Sequence, residues 1–161
     1  MTETTVYLDS SALAKRYKNE AGSRAVDALY RRAETLDLRL AFSLWNIGEV
    51  LRTLARARSQ GLLSEREASS ASWLFVRETM KFRALGALRI VPVASAIIGG
   101  ALPLVLASRL SQPDALQIAS CKEVGGVLVT SDAKMIEEAR QEGITVLDPA
   151  AEADAKALEA L

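Results

Sequence analysis

The stretch "TTVYLDSSALAKRY", Thr4 to Tyr17, decides how the rest of the chain is read. Val6-Tyr7-Leu8 is a short run of strand formers, and Ser10 to Arg16 has the Ala, Leu, Lys and Arg content of a helix. Asp9 stands at the junction, where a carboxylate can cap a helix by accepting from the backbone N–H groups of its first turn. A strand that ends on an acid and turns at once into a helix begins a βα unit, and the alternation recurs along the chain. Further apolar runs rich in strand formers lie at Leu38 to Phe42, Leu88 to Val91, Gly126 to Val129 and Ile144 to Leu147. Helical patterns fill the intervals at Ser23 to Glu34, Leu44 to Gln60, Ser64 to Leu85, Ala94 to Arg109, Pro113 to Val124 and Ala133 to Gln141. This order predicts an α/β fold, a three-layer α/β/α sandwich around a mainly parallel central sheet. A single domain is expected over residues 1–149, with a C-terminal helical tail over 150–161.

Composition narrows the function. The chain has 161 residues, 50% hydrophobic and 25% charged, as a globular protein with a real core does. Twenty basic and twenty acidic residues cancel, so any site for a polyanion must be built locally. One cysteine, Cys121, cannot form an internal disulfide, and the N-terminus does not read as a secretory leader, so a cytoplasmic location is expected. There is no histidine, which removes imidazole acid–base catalysis and most zinc and haem sites. Chemistry, if there is any, falls to carboxylates. The uncharged run Ile90 to Ser108 is long enough for a bilayer, but Pro92, Gly99-Gly100 and Pro103 interrupt it and no aromatic belt flanks it. It reads as a strand followed by a buried helix, with no membrane partner.

Four acids occupy telling places. Asp9 and Asp132, the latter in "GVLVTSD", follow strands, where a parallel sheet presents its ligand-facing edge. Asp114, in "SQPDALQIAS", opens a helix, and Glu49, in "SLWNIGEVLRTLARAR", lies within one. On a helical wheel Ile47, Val50, Leu51 and Leu54 gather on one side and Glu49, Arg52 and Arg56 on another. Asn46 precedes Glu49 by about one turn, which places its amide to support that carboxylate. Each acid has a bland reading: Asp9, Asp114 and Asp132 as helix caps or first-turn acids, Glu49 as a solvated partner of Arg52 or Arg56. Together they can bring four oxygen ligands to one crevice. Carboxylates so crowded raise one another's pKa unless a cation neutralises them, and all-oxygen ligation suits Mg²⁺ or Mn²⁺. Such ions acidify a water and orient it for attack on a phosphodiester. Ser10, Thr130 and Ser131 can orient ligands or water, or simply cap helices.

These pieces resemble PIN-domain ribonucleases, most closely the VapC-type toxins of toxin–antitoxin pairs. The matching segments are "YLDSSALAKRY", "WNIGEVLRTLAR", "PDALQIAS" and "LVTSDAKMIEEARQEGITVLDP", in the family's order, from about Val6 to Pro149. The resemblance implies a metal-dependent endoribonuclease that uses Mg²⁺ or Mn²⁺, homodimerises, and is inhibited by a small antitoxin laid over its groove. By the same resemblance Asp9, Glu49, Asp114 and Asp132 are the catalytic, metal-binding set, with Ser10 and Thr130 as polar helpers. Pro103, inside the helix before Asp114, and Gln117, where many members carry histidine, depart from the common pattern without touching the four acids.

A neutral protein must attract RNA with local charge, and Lys15, Arg16 and Lys18 after Asp9, with Arg52 and Arg56 on the face of Glu49, are the candidates. Trp73, Leu74, Phe75, Val76, Met80 and Phe82 form an apolar band wider than one core face needs, which is either core or partly a contact for another chain. Two other functions remain open on sequence. One is a non-catalytic module whose acids are caps and whose helices bind a protein. The other is an aspartyl-phosphate phosphatase using Asp9, disfavoured because Ser11 stands where such enzymes place a second acid.

Overall fold

The computed structural model describes residues 4–107 and 110–161. Its elements run β1 (Thr5–Leu8), α1 (Ser10–Lys15), α2 (Ser23–Glu34), β2 (Arg39–Ser43), α3 (Leu44–Ser59), α4 (Glu65–Ala84), β3 (Leu88–Val91), α5 (Ser95–Ala107), α6 (Gln112–Val124), β4 (Val127–Val129), α7 (Ala133–Gln141), β5 (Val146–Leu147) and α8 (Glu152–Ala160). Each segment expected from the sequence has its element. The helix expected to reach Arg109 is described to Ala107, and its last two residues lie outside the described part.

The five strands form one sheet in the order β3-β2-β1-β4-β5, and every pairing is parallel. Period-2 alternation sends neighbouring residues of β1 to opposite faces. Val6 and Leu8 join one core with α1, α2, α3 and α4, while Tyr7 joins the other with α5, α6 and α7. This division follows from the strand order. Crossovers between parallel strands are right-handed, so helices change face when the chain changes its direction across the sheet. The chain first moves outward from β1 to β2 to β3, then returns to the other side of β1 to lay down β4 and β5.

The first core is the aromatic one. Phe42 of β2 and Phe75 of α4 are buried with ring centroids 6.3 Å apart, and Tyr17 meets Phe75 edge-on at 5.3 Å. The apolar band on α4 is therefore split: Phe75 and Phe82 are core, while Trp73 and Met80 are exposed. Burying a side chain of that size stabilises the fold by roughly 1.5–3 kcal/mol. α8 returns to the first face, where Leu158 is fully buried in the same core as Val26 and Leu29. The loop before α2 is tied to that end of the chain. Gly22 has φ +89°, and a Cβ there would stand 2.8 Å from the carbonyl carbon of Pro149.

The uncharged run from Ile90 divides into the end of β3 and the helix α5, which has 13 residues and carries Pro103 inside it. No helix among the described residues is long and apolar enough to cross a membrane. α5 buries Ile97, Ala101 and Leu104 and exposes Ile98, Leu102, Val105 and Leu106.

Candidate active site

Reversal of strand order beside β1 opens a crevice beyond the carboxyl ends of β1 and β4, the place where parallel sheets of this kind bind ligands. Asp9 is the first residue after β1, and its backbone N–H donates to the carbonyl of Val129 at the end of β4, 3.2 Å away. An open cleft of about 480 Å³ lies there, and Asp9, Glu49, Asp114 and Asp132 all line it. The structure thus brings together the four acids that the sequence scatters over more than 120 positions.

Asp9 is fixed from several sides. It is the N-cap of α1, accepting from the N–H of Ala12 at 2.6 Å, while Ser11 Oγ lies 2.8 Å and 2.9 Å from its two oxygens. Thr130 Oγ1 donates to Asp9 Oδ2 at 2.6 Å and accepts from the N–H of Asp132 at 3.0 Å, so one hydroxyl couples the ends of β1 and β4. With only 3% of its surface exposed, Asp9 has its pKa raised from 3.8 to about 6. Burial is the largest cause, the bonds from Thr130, Ala12 and Ser11 oppose it, and the neighbouring Asp132 adds to it.

The other acids are held by fewer bonds. Asp132 is exposed and caps α7 by accepting from the N–H of Met135 at 2.9 Å. Asp114, in the first turn of α6, accepts from Ser111 Oγ at 2.5 Å. Cap and cleft-lining acid are one and the same group at Asp9 and Asp132. Glu49 is half-buried and accepts at Oε2 from two donors, Ser10 Oγ and Gln117 Nε2, the latter at 3.2 Å. No Lys or Arg among the described residues makes an ion pair with any of the four. Nor are any three acids among the described residues already assembled as a metal site.

Asn46 corrects one expectation. It does not bond Glu49; its amide donates to Ser10 Oγ at 2.8 Å and to Gln117 Oε1 at 2.6 Å, and these two residues contact Glu49. The reason lies in the start of α3. Ser43 and Asn46 form a capping box in which Asn46 Oδ1 accepts from the N–H of Ser43 at 2.7 Å, and that bond turns the fully buried side chain inward. The spacing of Ser43 and Asn46 was the available signal. Ser131 is also turned elsewhere: its hydroxyl donates to Asp148 Oδ1 at 2.6 Å.

The basic candidates divide. Lys18, Arg52 and Arg56 line the cleft. Arg16 does not: its guanidinium binds Glu78 at 2.7 Å and Asp27 at 2.8 Å and lies over the ring of Tyr30, joining α1 to α2 and α4. Lys15 is buried and faces Glu20 at 3.4 Å. The short helix α1 points only one of its sides at the cleft, and residues 15 and 16 lie on the others. Glu20 and Thr53 line the cleft as well, and no motif marks them. Gln117 corrects a second expectation: read from the sequence as a departure that leaves the four acids untouched, it bonds Glu49 through Nε2 at 3.2 Å. Its signal was a single amide inside the apolar run "ALQIAS", where every residue from Ala115 to Cys121 is buried.

Fold and site together define a parallel α/β sandwich with an acidic cleft at the point where strand order reverses. The family model for the PIN domain matches residues 6–142, and the chain belongs to the PIN-domain family. No curated protein sequence matches it. Among solved structures it is similar to PAE2754 from Pyrobaculum aerophilum, with a TM-score of 0.66 and 19% identity over 98% of this chain and 91% of that one. It is similar to Mycobacterium tuberculosis VapC20, a sarcin–ricin-loop-cleaving toxin, with a TM-score of 0.58 and 17% identity over 83% and 94%. A toxin–antitoxin complex from Klebsiella pneumoniae contains a chain similar at a TM-score of 0.54 and 19% identity over 89% and 97%.

Proposed function

We propose that the protein is a metal-dependent endoribonuclease, the toxin of a toxin–antitoxin pair, with Asp9, Glu49, Asp114 and Asp132 as its catalytic acids. The observation that carries this reading is the convergence of four carboxylates on one cleft, none of them paired with a described Lys or Arg. Such a donor set fits a hard divalent cation, Mg²⁺ or Mn²⁺, and leaves positions for water and a phosphate oxygen. When bound, the ion supplies charge neutralisation and an acidified water for hydrolysis of the phosphodiester.

The residues divide the remaining work. Asp9 and Glu49 are held by donors from neighbouring elements, and Asp114 and Asp132 line the same cleft from the starts of α6 and α7. Thr130 keeps Asp9 and Asp132 in register through its two bonds. Arg52 and Arg56 provide positive charge along the cleft for RNA phosphates, while Lys18 is paired with Glu20 at 3.0 Å. Arg16 and Lys15 support α1 and do not enter this set. The antitoxin partner is supported by the similarity to a toxin–antitoxin complex, and the exposed apolar residues of α5 suit a second copy of the chain in a homodimer.

Incubation of the purified protein with a mixed-sequence RNA oligonucleotide tests the activity. Cleavage should require Mg²⁺ or Mn²⁺, stop on addition of EDTA, and be absent in Asp9→Asn. Cutting that persists with chelator present would dismiss the metal mechanism. A covalent phosphoryl adduct on Asp9 would instead support phosphatase chemistry.

A further inference from the structure

The buried amides behind Glu49 are arranged so that only one orientation of each satisfies its neighbours. The N–H of Ser43 is necessarily a donor, so the atom of Asn46 facing it at 2.7 Å is the carbonyl oxygen, which also accepts from Tyr7 OH at 3.2 Å. That places the Asn46 NH₂ toward Ser10 Oγ and Gln117. The N–H of Ser10, likewise a donor, faces Gln117 at 3.2 Å, and it shares with Asn46 the same acceptor, Gln117 Oε1. With its oxygen claimed twice, the Gln117 amide must present its NH₂ to Glu49. Asn46 and Gln117 are 0% and 2% exposed, so their own amides are shielded from bulk water.

The consequence falls on the carboxylate. Both donors, Ser10 Oγ and Gln117 Nε2, bind the same oxygen, Oε2. The geometry points to Gln117 as a positioning residue that occupies Oε2 of Glu49 and leaves Oε1 as a single preset ligand oxygen for the cation. Gln117 lies on α6 three residues after Asp114, so the same helix sets one acid directly and a second through its amide. This inference rests on the metal-dependent reading of the cleft, and it concerns residues outside the acidic set.

Mn²⁺ binding, followed by calorimetry or by loss of the free-ion EPR signal, tests it without reference to activity. Gln117→Met, of similar length but with no donor, should weaken Mn²⁺ binding by about 10- to 100-fold, the usual cost of losing a group that orients a ligand. Gln117→Asn, which keeps an amide but draws it back by one methylene, should move affinity in the same direction and guards against a folding defect in the first variant. The decisive comparison is made in the Glu49→Gln background, where Gln117→Met should cost nothing further, because the two residues act as one unit. Unchanged Mn²⁺ affinity in folded Gln117→Met, or an equal loss with and without Glu49, overturns the proposal while leaving the metal site standing. A wild-type protein that binds no Mn²⁺ overturns both.

Discussion

Replacing Asp9 by Asn should stabilise the metal-free protein, and by an amount that depends on pH. Asn keeps an oxygen for the N–H of Ala12 and so preserves the cap, but it removes a charge from a site only 3% exposed. In the folded protein the Asp9 carboxyl gives up its proton near pH 6, against 3.8 without the fold. A group whose pKa is raised by folding favours the folded state while protonated, so its contribution is complete below about pH 4 and is lost as pH climbs to 6. The interval from 3.8 to about 6, at roughly 1.4 kcal/mol per pH unit, sets the loss at about 3 kcal/mol. Urea unfolding in EDTA, followed by tryptophan fluorescence from pH 4.5 to 7.5, measures it. The stability of Asp9→Asn relative to wild type should rise across this range and reach about 2–3 kcal/mol in favour of the variant at pH 7.5. Mn²⁺ should reverse the order at about a thousandfold excess over Kd, where only the wild type gains roughly 4 kcal/mol. A difference that stays flat with pH, or a variant less stable by a cap-sized amount at pH 7.5, would refute the reasoning.

Other substitutions separate the roles of neighbouring residues. Thr130→Val removes the bond that opposes the raised pKa of Asp9 and the acceptor for the N–H of Asp132; RNA cleavage should fall by about 10- to 100-fold and the low-pH edge of the rate profile should move upward. Arg52→Ala and Arg56→Ala should each reduce the slope of log affinity against log salt for single-stranded RNA by about 0.7, measured by fluorescence anisotropy. Arg16→Ala should leave that slope unchanged and destabilise the fold by roughly 1–3 kcal/mol, because its charge-assisted bonds join α1 to α2 and α4. Phe75→Ala, at the centre of the aromatic core, should cost about 3–5 kcal/mol in urea unfolding.

The fold was legible because its signals are local. Val6-Tyr7-Leu8 and the four later apolar runs are too short and too rich in strand formers for helices, and the helices between them carry caps at Ser64, Ser111 and Asp132. The strand order was not legible from any segment, since which strand neighbours β1 is settled by crossover handedness and by packing on two faces. Asp9 and Asp132 could be placed on one edge because both end strands; Asp114, at a helix start, and Glu49, inside a helix, carry no such marker, and the family resemblance added weight to a grouping that their positions only allowed. What escaped was chemistry seen across elements. Nothing between Ser10 and Gln117 in the chain announces that the amide of one helix meets the backbone of another, and Arg16, three positions from Leu13, faces Glu78 because α1 is too short to show more than one side to the cleft.

Anomalous diffraction from a crystal soaked in Mn²⁺ tests the central claim most directly. A metal peak in the cleft within about 2.0–2.3 Å of carboxylate oxygens of Asp9 and Glu49, with Asp114 or Asp132 completing the set, is the expected result, and Glu49 should reach the ion through Oε1 alone. No peak in the cleft at saturating Mn²⁺, with the four carboxylates bonded only to their helix ends and neighbours, would contradict it.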